Sequence, residues 1–283
     1  MLAGIEKTFQ GGAGFGGQGM RSVRALLEGA IDYAGLFPPA SLDIAAAVRN
    51  YASYRDGEYA WALGRFIVPA ALMAEFDAVA ADLRGPWRLS AVGSPTTSIR
   101  GAVESVELKV ERAEDIRPAA VLTYFEVPTD CIPMLATTGG RAKIRTGGPN
   151  SGMFPSALDL ARFLTICAAA KVPFKATAGL HHPVRSVHRF TYEPDSPSGM
   201  MHGFLNVLLA AALVYSGGSE NDAVATIEAT SPDAFRFDDT GVSWHSQRLS
   251  TEQLKAAREN FAIGFGSCSF EEPIADLRAL GVL

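Results

Sequence analysis

The sequence predicts an α/β fold, a single closed (β/α)8 barrel of the TIM type. Two observations carry this reading. From Ser22 onward, short apolar runs of strand character alternate with longer stretches of helical period, the pattern of parallel βαβ units. Eight such runs fit in roughly 250 residues, the usual length of such a barrel. No shift of composition marks a linker, so one domain accounts for residues 21–283. An open doubly wound sheet is the alternative, because periodicity counts strands loosely and the third and fourth units are short. Against it, no GxGxxG opens the first helix.

In chain order, residues 1–20, with "GGAGFGGQG" at 11–19, read as a flexible glycine-rich tail. The expected strands are "AIDYAG" (30–35), "ALGRFIVP" (62–69), "WRLSAVG" (87–93), "VESVELKV" (103–110), "AVLTYFEVP" (120–128), "RAKIRTGG" (141–148), "VPFKATAG" (172–179) and "FAIGFGS" (261–267). Among the helices, one opens with Ser41 as N-cap, and two start on Pro69 and Pro155. The most apolar segment, "FLNVLLAAALVY" from Phe204, has twelve residues, too few to span a bilayer, and reads as a buried helix. Between strand and helix, "DYAGLFPPA" at 32–40 forms a rigid apolar loop and one wall of a pocket, with Phe37 as its contact. Two insertions are expected, near 181–201 and near 230–250. The first is long for a βα connection and reads as a lid, mobile over 186–199 and bringing His181 and His202 to the pocket. The second reads as a small hairpin.

With 48% hydrophobic and 19% charged residues, the chain has ample material for a core. A net charge of −5 and no basic block argue against nucleic acid as a partner. Three widely spaced cysteines without a CxxC pair suit neither a disulfide framework nor a structural zinc site, and read as reduced thiols. A cytoplasmic protein with no membrane partner, able to form a homo-oligomer, is the resulting expectation.

Active sites of such barrels gather at the C-terminal ends of the strands. The polar residues expected there are Asp32, Arg65, Glu107, Lys109, Glu126, Lys143, Arg145, Lys175 and Thr177. Lys143 and Lys175 fall on adjacent strands at inward positions. Burial and a like charge both disfavour an ammonium, so at least one amine is expected to lose its proton well below the ordinary ~10.4. A neutral amine is what attack on a carbonyl requires. The competing reading is structural: each lysine pairs with Glu107, Glu126 or Asp32 and only holds the barrel together.

The stretches "KIRTGG" from Lys143 and "FKATAGL" from Phe174 resemble the sixth- and seventh-strand motifs of the deoxyribose-phosphate aldolases, class I enzymes with a lysine on each of those strands. "SVELKV" at 105–110 and "AIGFGSCS" at 262–269 resemble the family's acidic strand and its phosphate-gripping last turn. The resemblance implies a Schiff-base lyase acting on a small carbonyl substrate, phosphorylated or otherwise anionic in the family, without a cofactor. It implies Lys143 as the imine-forming residue, Lys175 as the neighbour whose charge lowers the Lys143 pKa, and Glu107 in the place of a catalytic aspartate. From their strand-end positions, Glu107, Glu126 or Asp32 are expected to move protons. Arg65, Arg145, Phe37, Thr177, His181, His202, Gly266 and Ser267 would bind substrate. Here Ala178-Gly179 replaces the family's small glycine pair, and His181, His182 and Pro183 follow.

Two rivals stand beside this reading. Four of the five histidines, His181, His182, His188 and His202, fall within 22 residues, and the cluster of His181, His182 and His202 would suit a metal-assisted lyase or isomerase that stabilises an enolate electrostatically. A barrel that binds a ligand without catalysis is the other.

Overall fold

The structure, a computed structural model, describes residues 20–83, 85, 87–94 and 103–283; the glycine-rich tail lies outside the described residues. Eight parallel strands close into a barrel: β1 (Ile31–Tyr33), β2 (Leu63–Pro69), β3 (Leu89–Val92), β4 (Val103–Lys109), β5 (Leu122–Glu126), β6 (Arg141–Arg145), β7 (Phe174–Thr177) and β8 (Ala262–Ser267). Each strand pairs with its neighbours in sequence, and β8 closes on β1 through Ile31↔Phe265, Asp32↔Gly266 and Tyr33↔Ser267. All eight fall within the runs expected from the sequence. A strand buried on both faces reads as a nearly continuous apolar run, and β2, LGRFIVP, is the clearest case.

Around the barrel lie α1 (Arg21–Leu27), α2 (Ile44–Arg55), α3 (Met73–Ala80), α4 (Ile132–Thr138), α5 (Ala157–Ala169), α6 (Phe204–Tyr215), α7 (Glu220–Glu228), α8 (Thr251–Asn260) and α9 (Glu271–Ala279). Among the described residues no α-helix separates β3 from β4, and only a 3-10 turn, Ala113–Asp115, separates β4 from β5. The apolar segment from Phe204 is α6, buried as expected. Its one polar interior residue, Asn206, donates to the carbonyls of Thr226 and Ala229 and accepts from the Arg185 N–H, so its burial leaves no orphaned amide.

Two helix starts differ from expectation. Asp43, not Ser41, caps α2: its carboxylate accepts from the Ala46 N–H at 2.7 Å, while Ser41 sits two residues upstream at a φ of +44°. Ser156 caps α5 by accepting from the Asp159 N–H, one residue beyond Pro155. The Pro69 start holds for a 3-10 turn, Ala70–Leu72, that leads into α3.

The insertions are ordered by pairing. The first folds as an antiparallel ribbon, Ser186–Arg189 against Ser198–Met201, in place of an open loop, its backbone N–H and C=O groups satisfied across the two arms. The second forms a three-stranded antiparallel sheet, Arg236–Asp238, Gly241–Trp244 and Gln247–Ser250, which packs beside α1 and α8.

Candidate active site

Strand register places the two lysines. Lys143 pairs directly with Lys175 between β6 and β7, so both amines enter the barrel interior at one level. Lys175 is enclosed: its Nζ donates to Asp32 Oδ2 at 2.5 Å and to Glu107 Oε1 at 2.7 Å, and it lies 5.6 Å from the Tyr124 ring centre. Lys143 is held more loosely, 3.2 Å from Glu107 Oε2 and 3.4 Å from Glu126 Oε2. Its residue exposure is 8%, against 2% for Lys175.

Glu107 is the hub, since both amines meet its two oxygens. Ser90 Oγ adds a third donor at 2.9 Å and itself accepts from Ser105 Oγ at 2.9 Å. Burial alone would raise the Glu107 pKa, but the charges of Lys175 and Lys143 and these hydrogen bonds outweigh it and bring it down to about 2. Burial would likewise lower the pKa of Lys175, yet Asp32 and Glu107 more than offset this and raise it. Lys175 is therefore the amine of the two that keeps its proton, because Asp32 and Glu107 both lie against its ammonium. Asp32 is fixed in turn by the Arg65 backbone N–H, which donates to its Oδ1 at 2.6 Å.

Above the lysines opens a cavity of about 310 Å³. Lys143, Lys175, Glu107, Arg145, Phe37, Thr177, His181 and Gly266 all line it, as the sequence leads one to expect. The loop after β1 supplies its wall through Ala34, Phe37 and Pro38. Glu126 reaches the site from the side, on Lys143 and, at 3.5 Å, on Arg145 Nε. Asp32 lies beneath, behind the Lys175 amine.

Other expected residues stay out of the cavity lining. Arg65 sets its Nε 3.1 Å from Glu104 Oε2, an ion-pair approach without hydrogen-bond alignment, and its backbone N–H rather than its guanidinium serves Asp32. His202 is buried with Nε2 bonded to the Pro155 carbonyl at 2.8 Å, so it anchors the base of the ribbon instead of facing the pocket. Ser267 accepts from the Ala34 N–H at its carbonyl and from the Ser269 N–H at its hydroxyl oxygen. Lys109 is exposed and pairs with Glu111.

The histidines do not converge. His181 Nδ1 meets Glu272 Oε2 at 3.1 Å, whereas His182 meets Asp276 at 2.6 Å and stacks on His188 with ring centres 3.4 Å apart. Among the described residues no group of three or more His, Cys, Asp or Glu side chains is gathered to hold a metal ion. Burial would lower the His181 pKa, but hydrogen bonding to Cys268 and Glu272 and their charge push it up to about 9.

Several members of the site were not singled out from the sequence. Ser90 and Ser105 are polar residues in otherwise apolar strands, a signal that period-2 reading could have used. Cys268, Tyr192 and Glu272 meet only through the fold: Tyr192 Oη donates to Glu272 at 2.7 Å and lies 3.5 Å from Cys268 Sγ. Ala178 lines the cavity at a φ of +61°, a left-handed conformation costly for a side-chain-bearing residue.

No family model matches this sequence, and no curated protein sequence does. Among solved structures, the chain is similar to the deoxyribose phosphate aldolase from Aeropyrum pernix, described as having a unique tetrameric structure. The two are 13% identical, with a TM-score of 0.36, over 92% of this chain and 97% of that one.

Proposed function

We propose that the protein is a class I aldolase-like lyase in which Lys143 forms a Schiff base with a small carbonyl substrate. One observation supports this above the rest: of two buried lysines at the cavity floor, one is locked between two carboxylates at short distance, and the other is loosely held and faces the space where a substrate fits. A purely structural ion pair has no need of the second lysine or of the cavity above it.

In this reading Lys143 passes its proton to Glu126, which is partly open to solvent, and the free amine attacks the carbonyl carbon. The carbinolamine oxygen leaves as water after protonation, giving an iminium beside the Glu107 carboxylate, which stabilises the new cation. Cleavage of the bond between the carbons α and β to the iminium sends its electron pair into the iminium, while the β-hydroxyl gives its proton to Glu126, again a carboxylate after protonating the departing water, and becomes a carbonyl. The enamine left on Lys143 is then protonated on carbon and hydrolysed, restoring the amine. Lys175 stays an ammonium throughout and keeps Glu107 ionised.

Borohydride reduction in the presence of propanal, followed by peptide mass mapping, tests this directly. The chain has six lysines, so the modified one is identified without ambiguity. A reduced adduct at Lys143 that disappears in Lys143→Arg, with the fold retained, is expected. An adduct at Lys175, or none at Lys143, overturns the proposal.

A further inference from the structure

Resting on the Schiff-base reading, we infer that the carbonyl compound handled at Lys143 carries an uncharged, apolar substituent and no phosphate, and that this substituent lodges in a side pocket beneath the ribbon. The side pocket, about 30 Å³, adjoins the main cavity and shares Pro38, Pro149, Ala178 and His181 with it. Its distinct walls are Pro39, Gly179, Phe190 and Met201, the last two carried by the insertion after β7. It has room for roughly two water-sized groups, the bulk of a short alkyl chain.

The pocket is built into the backbone. The loops after β6 and β7 touch at Gly147 and Gly179, where a Cβ on Gly147 would lie 2.8 Å from the Gly179 Cα, and Gly179 has a φ of +76°. Only glycines permit that approach, and Gly179 there forms part of the side pocket's wall. Phe190 is fixed from behind by Phe154, with ring centres 5.1 Å apart, and by Gly199, where a side chain would strike its ring.

Charge points the same way. Every cationic or protonatable basic group lining the main cavity already faces a carboxylate: Lys143 has Glu107 and Glu126, Lys175 has Asp32 and Glu107, Arg145 has Glu126, and His181 has Glu272. A phosphate entering here would have to compete with these carboxylates for them. The turn after β8, where an anion could meet backbone N–H groups, leads into α9, whose first turn carries Glu271 and Glu272. The Ser269 and Glu272 N–H groups there are already given to Ser267 Oγ and Ser269 Oγ. Two carboxylates at that helix start repel a phosphate.

The test compares the concentrations at which propanal, butanal, pentanal and glycolaldehyde phosphate give half-maximal borohydride-trapped adduct at Lys143. Each methylene taken into the side pocket should lower that concentration about fourfold, so pentanal is trapped at roughly one-fifteenth the concentration of propanal. Glycolaldehyde phosphate should require more than propanal does. In Met201→Gln, propanal trapping is expected to stay unchanged while the gain from propanal to pentanal shrinks below about threefold. A concentration series flat across the aldehydes in the wild type, or a phosphorylated probe trapped more readily than pentanal, overturns the inference and leaves the lysine reading standing. Absence of any adduct at Lys143 with all four probes removes the lysine reading, and this inference with it.

Discussion

Replacing Glu107 by glutamine keeps the shape of the hub and removes its charge, leaving Lys175 with Asp32 alone and Lys143 with Glu126 alone. The cost can be worked from the site. The folded-state pKa of Glu107 is about 2, below its ordinary 4.5, so its ionisation stabilises the fold above pH 4.5 and that stability is lost as pH falls through about 2. At about 1.4 kcal/mol per unit, the carboxylate contributes about 3 kcal/mol at pH 7. Because Glu107 is almost fully buried, solvent does little to screen this. Glu107→Gln should thus be about 3 kcal/mol less stable than wild type at pH 7, a fall in Tm of roughly 5–10 °C. At pH 3 the wild type has lost about 2 kcal/mol of the advantage, and the gap should narrow to about 1 kcal/mol. Urea unfolding of both proteins at pH 7, 5, 4 and 3, followed by circular dichroism, gives the four differences. A gap that stays constant across this range, or one below 1 kcal/mol at pH 7, would refute the account of Glu107 as an ionised hub between two amines.

Lys175→Met should be still more damaging, by about 3–5 kcal/mol in urea unfolding at pH 7, since it strips Asp32 and Glu107 of a buried counter-charge; a loss under 1 kcal/mol would mean that the pair is not ionised together. His181 has a folded pKa of about 9, raised from 6.5, so its contribution is complete below pH 6.5 and disappears as pH rises through 9. The wild type should lose about 2 kcal/mol more than His181→Gln between pH 7 and pH 10, and equal losses would show that the Glu272 pairing does not hold in solution. Gly147→Ala would drive a methyl group into the Phe154 ring and the Gly179 backbone, and should cost on the order of 1–3 kcal/mol while weakening pentanal trapping more than propanal trapping; an unchanged Tm would contradict the close approach of the two loops.

The sequence by itself determined the eight barrel strands and the buried helix α6, because apolar period and run length are local properties that survive without any knowledge of partners. It also determined that Lys143 and Lys175 are neighbours: two lysines at inward positions of successive parallel strands must meet once the barrel closes. The loop from Asp32 to Ala40 was legible as a pocket wall, since prolines beside a strand end leave the chain few ways to run.

What the sequence left open, tertiary structure decided. Which carboxylate serves which lysine depends on side-chain reach across the barrel, and Asp32 comes to Lys175 from 143 residues away and past an intervening strand. That choice separates an enclosed lysine, held by two carboxylates at short distance, from one held more loosely, a difference invisible in two similar motifs. The fate of the histidines was also decided there. Glu272 and Asp276 lie on a helix about 90 residues further along, and by pairing with His181 and His182 they disperse a cluster that looks compact in sequence. Periodicity records which face a side chain takes, but the partner it finds there is fixed only when distant strands and helices are brought within a few ångströms, where Coulomb and hydrogen-bond energies become large.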